Sequence, residues 1–160
     1  MNDSYQHLEL SAAAQQLVPE AGCHLRLKGR LPLRPDGSGA KGEEYAWDEQ
    51  HQQLWDRILQ DYVDELKAWS SDIGIAKSVV MLEEGSSSRT PKDKMSMVIP
   101  IDERNSKIAI RNAEGEIFRD LDWRPYVLHQ EVSIRATKGN IVFVLILLSR
   151  ETKNGTSAVV

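Results

Sequence analysis

A run of eight apolar residues near the C-terminus, 141–148, constrains the fold most strongly. It is rich in β-branched residues and follows a turn sequence, Lys-Gly-Asn at 138–140, so it predicts a strand that is buried on both faces. The run is far shorter than the roughly 20 residues that a membrane-spanning helix needs, and we expect no membrane segment. It is therefore the predicted centre of a sheet.

The composition is typical of one ordinary globular domain, which we place at residues 1–150. Apolar residues make up 41% of the 160 residues and charged residues 28%, which suits a single hydrophobic core. The 20 basic and 24 acidic side chains give a net charge of −4, too small to steer a strongly charged partner. Cys23 is the only cysteine and no secretory signal pattern occurs, so we expect a soluble, cytoplasmic protein and leave its oligomeric state open.

Two segments predict helices. Residues 4–18, with Ser4 as the cap and Pro19 as the stop, predict a short N-terminal helix. Residues 43–70 predict one long amphipathic helix, since their apolar side chains recur at three- and four-residue steps and their other face is acidic. His51 lies in the apolar stripe, where an imidazole either borders a functional cleft or bonds a buried carbonyl. We favour the second, packed position.

Beyond residue 74 the apolar period changes to two, which predicts strands. The candidates are 75–82, 95–101, 107–111, 116–121, 127–136 and 141–148. With an edge strand at 24–28, they predict an α+β fold whose sheet is predominantly antiparallel, has about six or seven strands and runs as a meander. Glycine-containing breaks at 112–115 and 137–140 predict the hairpin turns.

Three further segments lack a periodic pattern. Glycine and proline are concentrated at 35–42, which predicts a flexible connection. The serine-rich segment 83–94 has no anchoring apolar residue and predicts a mobile polar surface loop. The last ten residues, 151–160, give a core nothing substantial to bury and predict a disordered tail.

The search for catalytic chemistry yields one pair of side chains. No short motif of a hydrolase, a metalloprotease or a nucleotide-binding protein occurs in the sequence. The histidines and the cysteine are scattered over different elements, so we predict neither a metal site nor a cofactor. His129 and Glu131 share one face of a predicted strand and are the candidate acid–base pair. A solvated sheet face produces such pairs routinely, and we favour that explanation.

Two groups of residues predict binding surfaces. One is a set of basic side chains suited to nucleic-acid phosphates: Arg26, Lys28, Arg30, Arg34, Arg89, Lys92 and Lys94. Acidic residues are interspersed along the same sheet, so a mixed-charge solvated face is the alternative. The other group is Trp123, Arg124 and Tyr126, which either expose an aromatic and cationic patch for a protein partner or pack over a sheet end.

These observations lead to three hypotheses about function. Because catalytic constellations are absent from the linear sequence, we expect a non-catalytic regulatory or accessory protein that binds a macromolecular partner, in the first place another protein. The alternative is an accessory protein that binds DNA or RNA through the basic residues. The third hypothesis is an enzyme without a recognisable linear motif, in which His129 and Glu131 act.

Overall fold

The computed structural model describes residues 5–23, 25–30, 42–69, 76–91, 94–101, 106–112, 115 and 121–149. Within these residues the chain forms eleven strands and three helices. The strands are β1 (Tyr5–His7), β2 (Leu27–Arg30), β3 (Gly42–Tyr45), β4 (Ala76–Leu82), β5 (Ser87–Arg89), β6 (Lys94–Pro100), β7 (Lys107–Asn112), β8 (Leu121–Asp122), β9 (Tyr126–Leu128), β10 (Val132–Lys138) and β11 (Ile141–Ser149). The helices are α1 (Ala12–Cys23), α2 (Glu49–Asp61) and α3 (Val63–Trp69).

The strands form two sheets in which every pair is antiparallel. The large sheet has the order β1-β9-β6-β11-β4-β3-β2, and the small sheet has the order β5-β10-β7-β8. From β4 to β11 the chain passes repeatedly from one sheet to the other. Two facing antiparallel sheets wound from eight strands in this way are a jelly roll, to which the N-terminal strands and the helices are added.

Strand β11 lies at the centre of the large sheet, as the sequence predicts. It pairs with β4 on one side and β6 on the other, so that Phe143 lies opposite both Val80 and Pro100. Side chains of one row, including Val144 and Ile146, pack in the cluster that contains α1 and α2 residues. Phe143, in the opposite row, packs in the cluster shared with the small sheet.

A predominantly antiparallel sheet with few helices is confirmed, but the single meander is wrong. Gly139 has the positive φ, 76°, that a tight turn needs, yet this turn joins β10 in the small sheet to β11 in the large one. The predicted strand 127–136 divides into β9 and β10, which belong to different sheets. A period of two identifies the apolar face of a strand and not its partner, so a meander and a jelly roll give the same pattern.

The predicted N-terminal helix 4–18 is wrong in its bounds. The chain first forms β1, and α1 begins after Ser11, whose Oγ accepts a hydrogen bond from the backbone N–H of Ala14 at 3.1 Å. Ser11 is therefore the helix cap instead of Ser4. Pro19 lies inside the helix and does not end it. Residues 5–7 form a strand because β9 offers them an open sheet edge.

The predicted long helix 43–70 is divided into three elements. Its first residues form β3, which pairs with β4 and extends the large sheet. The helix proper begins at Glu49, and Tyr62 separates α2 from α3. The edge strand expected at 24–28 is present as β2, shifted to Leu27–Arg30, and it is an outer strand of the large sheet.

The predicted polar loop at 83–94 contains strand β5. Hydrogen bonds hold this segment in place, and the lack of apolar residues in its sequence does not reveal them. Thr90 is buried: its backbone N–H donates to the Val132 carbonyl at 2.8 Å, and its Oγ1 accepts from the Val132 N–H at 2.9 Å.

Several segments named in the sequence predictions lie outside the described residues: 35–41, 92–93 and 151–160. Gly42, the last residue of the predicted connection, begins β3. None of the described helices is long and apolar enough to cross a membrane.

His51 joins the two main helices from a fully buried position, which confirms its predicted packing against a carbonyl. Its Nδ1 accepts a hydrogen bond from the backbone N–H of Asp48 at 3.0 Å, and its Nε2 lies 2.9 Å from the Ala21 carbonyl oxygen. An acceptor at Nδ1 and a donor at Nε2 define the neutral imidazole with the proton on Nε2. Burial lowers the pKa of His51 below its ordinary value of 6.5, and the neutral ring is the stable form.

We predict that His51 makes the stability of the protein depend on pH. The unfolded chain takes up a proton at His51 near pH 6.5, whereas the folded protein takes it up only at lower pH. The free energy of unfolding therefore falls as the pH drops from about 6.5 toward the lowered pKa. The variant His51→Gln should be less stable than wild type by about 2 kcal/mol at pH 7.5 and should show a smaller loss between pH 7 and 5. Urea titrations at several pH values measure both effects.

The matched control is His7→Gln, because His7 lies on β1 with its side chain exposed. Its urea titrations at the same pH values measure the effect of removing an exposed imidazole. An equal loss of stability with falling pH in His51→Gln and in wild type would contradict the assignment to His51.

Candidate functional site

A cavity of about 190 Å³ lies between the two sheets of the jelly roll. Strands β3, β4 and β11 of the large sheet line one side, and β5 and β10 of the small sheet line the other. On β11 the lining side chains are Phe143, Leu145 and Leu147, which share one face because successive strand residues alternate between faces. The cavity therefore begins between the two sheets and opens toward solvent.

The floor of the cavity is apolar. Val80, Ile134 and Phe143 are buried and belong to the core between the sheets. Leu145 and Leu147 are only partly buried and carry this apolar surface outward toward solvent. A small molecule in the cavity would thus meet hydrocarbon over much of its surface, the arrangement found in most ligand sites.

The polar lining residues come from both sheets. Glu44 lies on β3 and is half-buried, and Arg89 ends β5 and is exposed. The hydroxyl groups of Ser78 and Ser88 also line the cavity and are half-buried. The large sheet therefore contributes a carboxylate to the lining of this cavity, and the small sheet contributes a guanidinium. Thr90 lines it as well, but its hydroxyl is engaged in the ladder with β10.

Ser96 adds a fully buried hydroxyl to the same inner surface. It shares its face of β6 with Val98, which packs in the core between the sheets, and it lies opposite Leu147, a lining residue. Ser96 is fully buried, and its Oγ has no hydrogen-bond partner among the described residues. A buried hydroxyl without a partner costs about 1–3 kcal/mol.

The cavity does not have the side chains of a metal centre. Glu44 is the sole carboxylate among the described lining residues, which include no imidazole and no thiol. Across the described ranges, no three His, Cys, Asp or Glu side chains come together. Protein sites for zinc and other transition metals are built mainly from several imidazole, thiolate and carboxylate groups, of which this lining offers one. We therefore assign no metal to this cavity.

A second, more open cavity of about 280 Å³ lies beside β1 and α1. Trp123 and Arg124, two of the candidate protein-binding residues, line it together with His7, Glu9 and Gln15. Trp123 is only 9% exposed and packs edge-to-face on Phe143, with ring centroids 5.6 Å apart.

Tyr126, the third candidate for protein binding, is buried. Its hydroxyl donates to the Asp122 carbonyl at 3.0 Å, and its ring is in contact with those of Tyr5 and His7. The aromatic residues of this segment thus fold inward, which was the alternative to an exposed patch. Arg124 alone remains exposed, beside Asp122.

His129 and Glu131 do not share a strand face. Both lie in the connection between β9 and β10, where the strand predicted for 127–136 is broken. His129 Nε2 is 3.1 Å from Gln6 Oε1. Neither residue lines either of the two cavities, so the structure does not bring this candidate acid–base pair to a ligand site.

The basic candidates are dispersed. Arg89 lines the cavity between the sheets, Lys94 begins β6, and Arg26 forms an ion pair with Asp48. Lys28 and Arg30 contribute backbone to β2, and their side chains lie outside the described part of the chain. Arg34 and Lys92 also lie outside it. The described members thus belong to different parts of the fold, and Arg26 is already paired with a carboxylate.

Sequence reasoning missed Glu44, Ser78, Ser88 and Ser96 as site residues. The sequence predicts an acidic helix face at Glu44 and a mobile loop at Ser88. The one local signal was the presence of serine at inward positions of two apolar strands, Ser78 in β4 and Ser96 in β6. A polar residue at an inward strand position is unusual, and such positions mark either a buried hydrogen bond or a site.

Comparison with known proteins identifies the fold and no family. No protein-family model and no curated protein sequence matches the chain. Among solved structures, a prolyl-4-hydroxylase from Pseudomonas putida superimposes with a TM-score of 0.50 and 14% identity, over 93% of this chain and 88% of that one. A variant of the Bacillus subtilis oxalate decarboxylase matches with a TM-score of 0.39 and 13% identity, over 97% of this chain. Streptomyces albus HEPD, solved with 2-hydroxyethylphosphonate and Fe(II) bound, matches over 78% of this chain with a TM-score of 0.38 and 12% identity.

The three matched structures differ in how much of their own length this chain covers. This chain spans 32% of the oxalate decarboxylase and 25% of HEPD, so both are much longer proteins. The prolyl-4-hydroxylase is matched over most of its length, and at 14% identity the likeness shows a common fold.

These comparisons contradict the expected non-catalytic accessory protein with a macromolecular partner. A solved structure that matches this chain over 88% of its own length is a prolyl-4-hydroxylase. The expectation rested on the lack of linear catalytic motifs. In a jelly roll, however, site residues come from separate strands, so the lack of a linear motif carries little weight.

We predict that Ser96→Ala stabilises the unliganded protein. The substitution removes a buried hydroxyl that has no partner, so the free energy of unfolding should rise by about 1 kcal/mol. The matched control is Ser106→Ala, since Ser106 is also buried but its Oγ donates to the Asn140 carbonyl at 3.2 Å. That variant should lose about 1 kcal/mol. Chemical denaturation of both variants measures the difference, and a loss of stability in both would show that the Ser96 hydroxyl has a partner.

Proposed function

We propose that this chain is an enzyme-like jelly-roll protein that binds a small organic molecule in the cavity between its two sheets. The observation that carries the proposal is the lining of this cavity. Apolar side chains from both sheets form its floor, and a few polar groups, among them Glu44 and Arg89, reach it from opposite sides. Predominantly apolar pockets with a few convergent polar groups are the usual sites for small ligands.

The size of the cavity limits its ligand. At about 190 Å³ it is smaller than the roughly 300–1,000 Å³ of sites for drug-sized molecules. An apolar cavity of about 150 Å³ binds benzene. A molecule of about ten or fewer non-hydrogen atoms therefore fits, and a nucleotide does not.

The two charged lining residues, Arg89 and Glu44, would have different roles toward a ligand. The Arg89 guanidinium stays charged and can orient an anionic group without exchanging a proton. Glu44 is the lining group with a carboxylate, so proton transfer to or from a bound molecule would pass through it.

We predict that filling the cavity abolishes binding of small organic molecules. Wild-type protein would be screened by ligand-observed NMR against acids, amines, amino acids and sugars of about ten or fewer non-hydrogen atoms. Leu147→Trp places an indole in the cavity and should remove every contact that the wild type shows. The matched control is Arg135→Trp, because Arg135 is exposed and lies on the β10 face opposite to Ile134, which lines the cavity.

Circular dichroism would verify that both tryptophan variants are folded. Equal binding by Leu147→Trp and wild type would place the ligand elsewhere and overturn the proposal, as would a wild-type protein that binds no member of the panel.

A further inference from the structure

We infer that the ligand of the cavity between the sheets is an aliphatic molecule with an uncharged oxygen, a keto or a hydroxyl group, near its inner end, and that the Ser96 hydroxyl binds this oxygen. This inference rests on the proposed function and specifies its ligand class and a further binding residue. It joins a buried hydroxyl without a partner, the position of that hydroxyl one strand beyond the cavity, and the apolar surface in between.

Ser96 differs from other buried hydroxyl residues of the described chain in its hydrogen bonding. Thr90 and Ser106 are also buried, and the hydroxyl of each bonds to a backbone group. The Ser96 Oγ is fully buried and has no partner among the described residues. A buried hydroxyl without a partner destabilises the folded protein. A bound molecule that hydrogen-bonds to Ser96 removes this cost.

Ser96 lies on the far side of β11 from the polar lining residues. The inner surface of the large sheet runs from β3, which carries Glu44, through β4 and β11 to β6. Ser96 lies directly opposite Leu147, and the Cβ atoms of residues placed in this way are about 4.5–5.5 Å apart. Leu147 lines the cavity and is only partly buried, so its side chain separates the cavity from Ser96. A side chain that is not fully packed changes rotamer rapidly, which lets a ligand reach the hydroxyl.

The surroundings of Ser96 select an uncharged group. Its neighbours on this face of the sheet are all hydrocarbon: Leu128 on β9, Leu147 on β11 and Val98 on β6 itself. A serine hydroxyl both donates and accepts, so it pairs with a keto oxygen or with another hydroxyl. A charged group would lose its hydration there without meeting an opposite charge, which costs far more than one hydrogen bond returns. The end of the ligand at Ser96 is therefore neutral.

The apolar row on β11 selects an aliphatic chain. Phe143, Leu145 and Leu147 form this row, and β4 and β6 lie on either side of it. These two flanking strands are two strand spacings apart, roughly 10 Å. An extended molecule therefore crosses β11 with its hydrocarbon against the row. Glu44 and Arg89 each interact with another group of the protein, so we leave the outer end of the ligand to solvent.

The test compares two acids that differ only in the group that Ser96 would bind. The first is 6-oxoheptanoate, and the second is 6-methylhept-6-enoate, in which a methylidene group of similar shape replaces the keto oxygen. Both have about ten non-hydrogen atoms, the size that the cavity accepts, and a carboxylate that keeps the outer end in water. Isothermal titration calorimetry would give the ratio of the two affinities. We expect Ser96→Ala to lower the ratio of keto-acid affinity to alkene affinity about tenfold relative to wild type.

The matched control is Ser106→Ala, because Ser106 is buried too but donates its hydroxyl proton to the Asn140 carbonyl. It should keep the wild-type ratio. Ser78→Ala tests the other position for the keto group, since the half-buried Ser78 lines the cavity from β4. Each ratio is measured within one folded variant, so a general change in stability does not mimic the loss of a hydrogen bond.

The outcomes separate this inference from the proposed function. If both acids bind and Leu147→Trp abolishes their binding, but Ser96→Ala keeps the wild-type ratio, the cavity is a small-molecule site and the role of Ser96 is wrong. A ratio that falls in Ser78→Ala and not in Ser96→Ala would place the oxygen on the β4 side and also overturn the inference. If neither acid binds to the wild type, the inference is overturned, and the wider NMR panel decides the proposed function separately.

Discussion

The burial of β11 on both faces is the constraint on which the rest of the structure depends. The strand pairs with β4 and with β6, so its backbone hydrogen bonds are committed on both edges. Its even-numbered side chains, such as Val144 and Ile146, need cover on one face, and Phe143 and its row need cover on the other. The helices supply the first cover and the small sheet supplies the second, which gives the layered arrangement of the domain.

The same constraint accounts for the position of the cavity. The small sheet covers the inward row of β11 only in part, since Phe143 is buried but the residues that follow it in the row are not. These residues, Leu145 and Leu147, are only partly buried. Polar side chains are tolerated where this cover ends, because there they can reach solvent or one another, and Glu44 and Arg89 lie at this boundary.

The sequence predicted those features that depend on local periodicity. Strands β4, β6, β7 and β11 lie within a residue or two of their expected bounds, and His51 packs against a carbonyl as expected. Prediction from the sequence failed where pairing with a neighbouring strand outweighed the local preference for a helix or a loop. Residues 43–45 continue a helical pattern but form β3, and the serine-rich segment 87–89 forms β5, because in each case a neighbouring strand offered hydrogen bonds. The site could not be predicted, since Glu44, Ser78 and Arg89 are far apart in the chain and meet only through the sheets.

The sequence by itself determined strands β4, β6, β7 and β11, the apolar face of each and the strand that lies at the centre, because side-chain alternation is a local property of the chain. Only the tertiary structure decided which strands pair, that they divide into two sheets, and that charges from β3 and β5 share one cavity. The physical reason is that backbone hydrogen bonds between strands are nearly the same for every sequence. The choice of partner is therefore made by burying all apolar faces at once, which no single segment encodes.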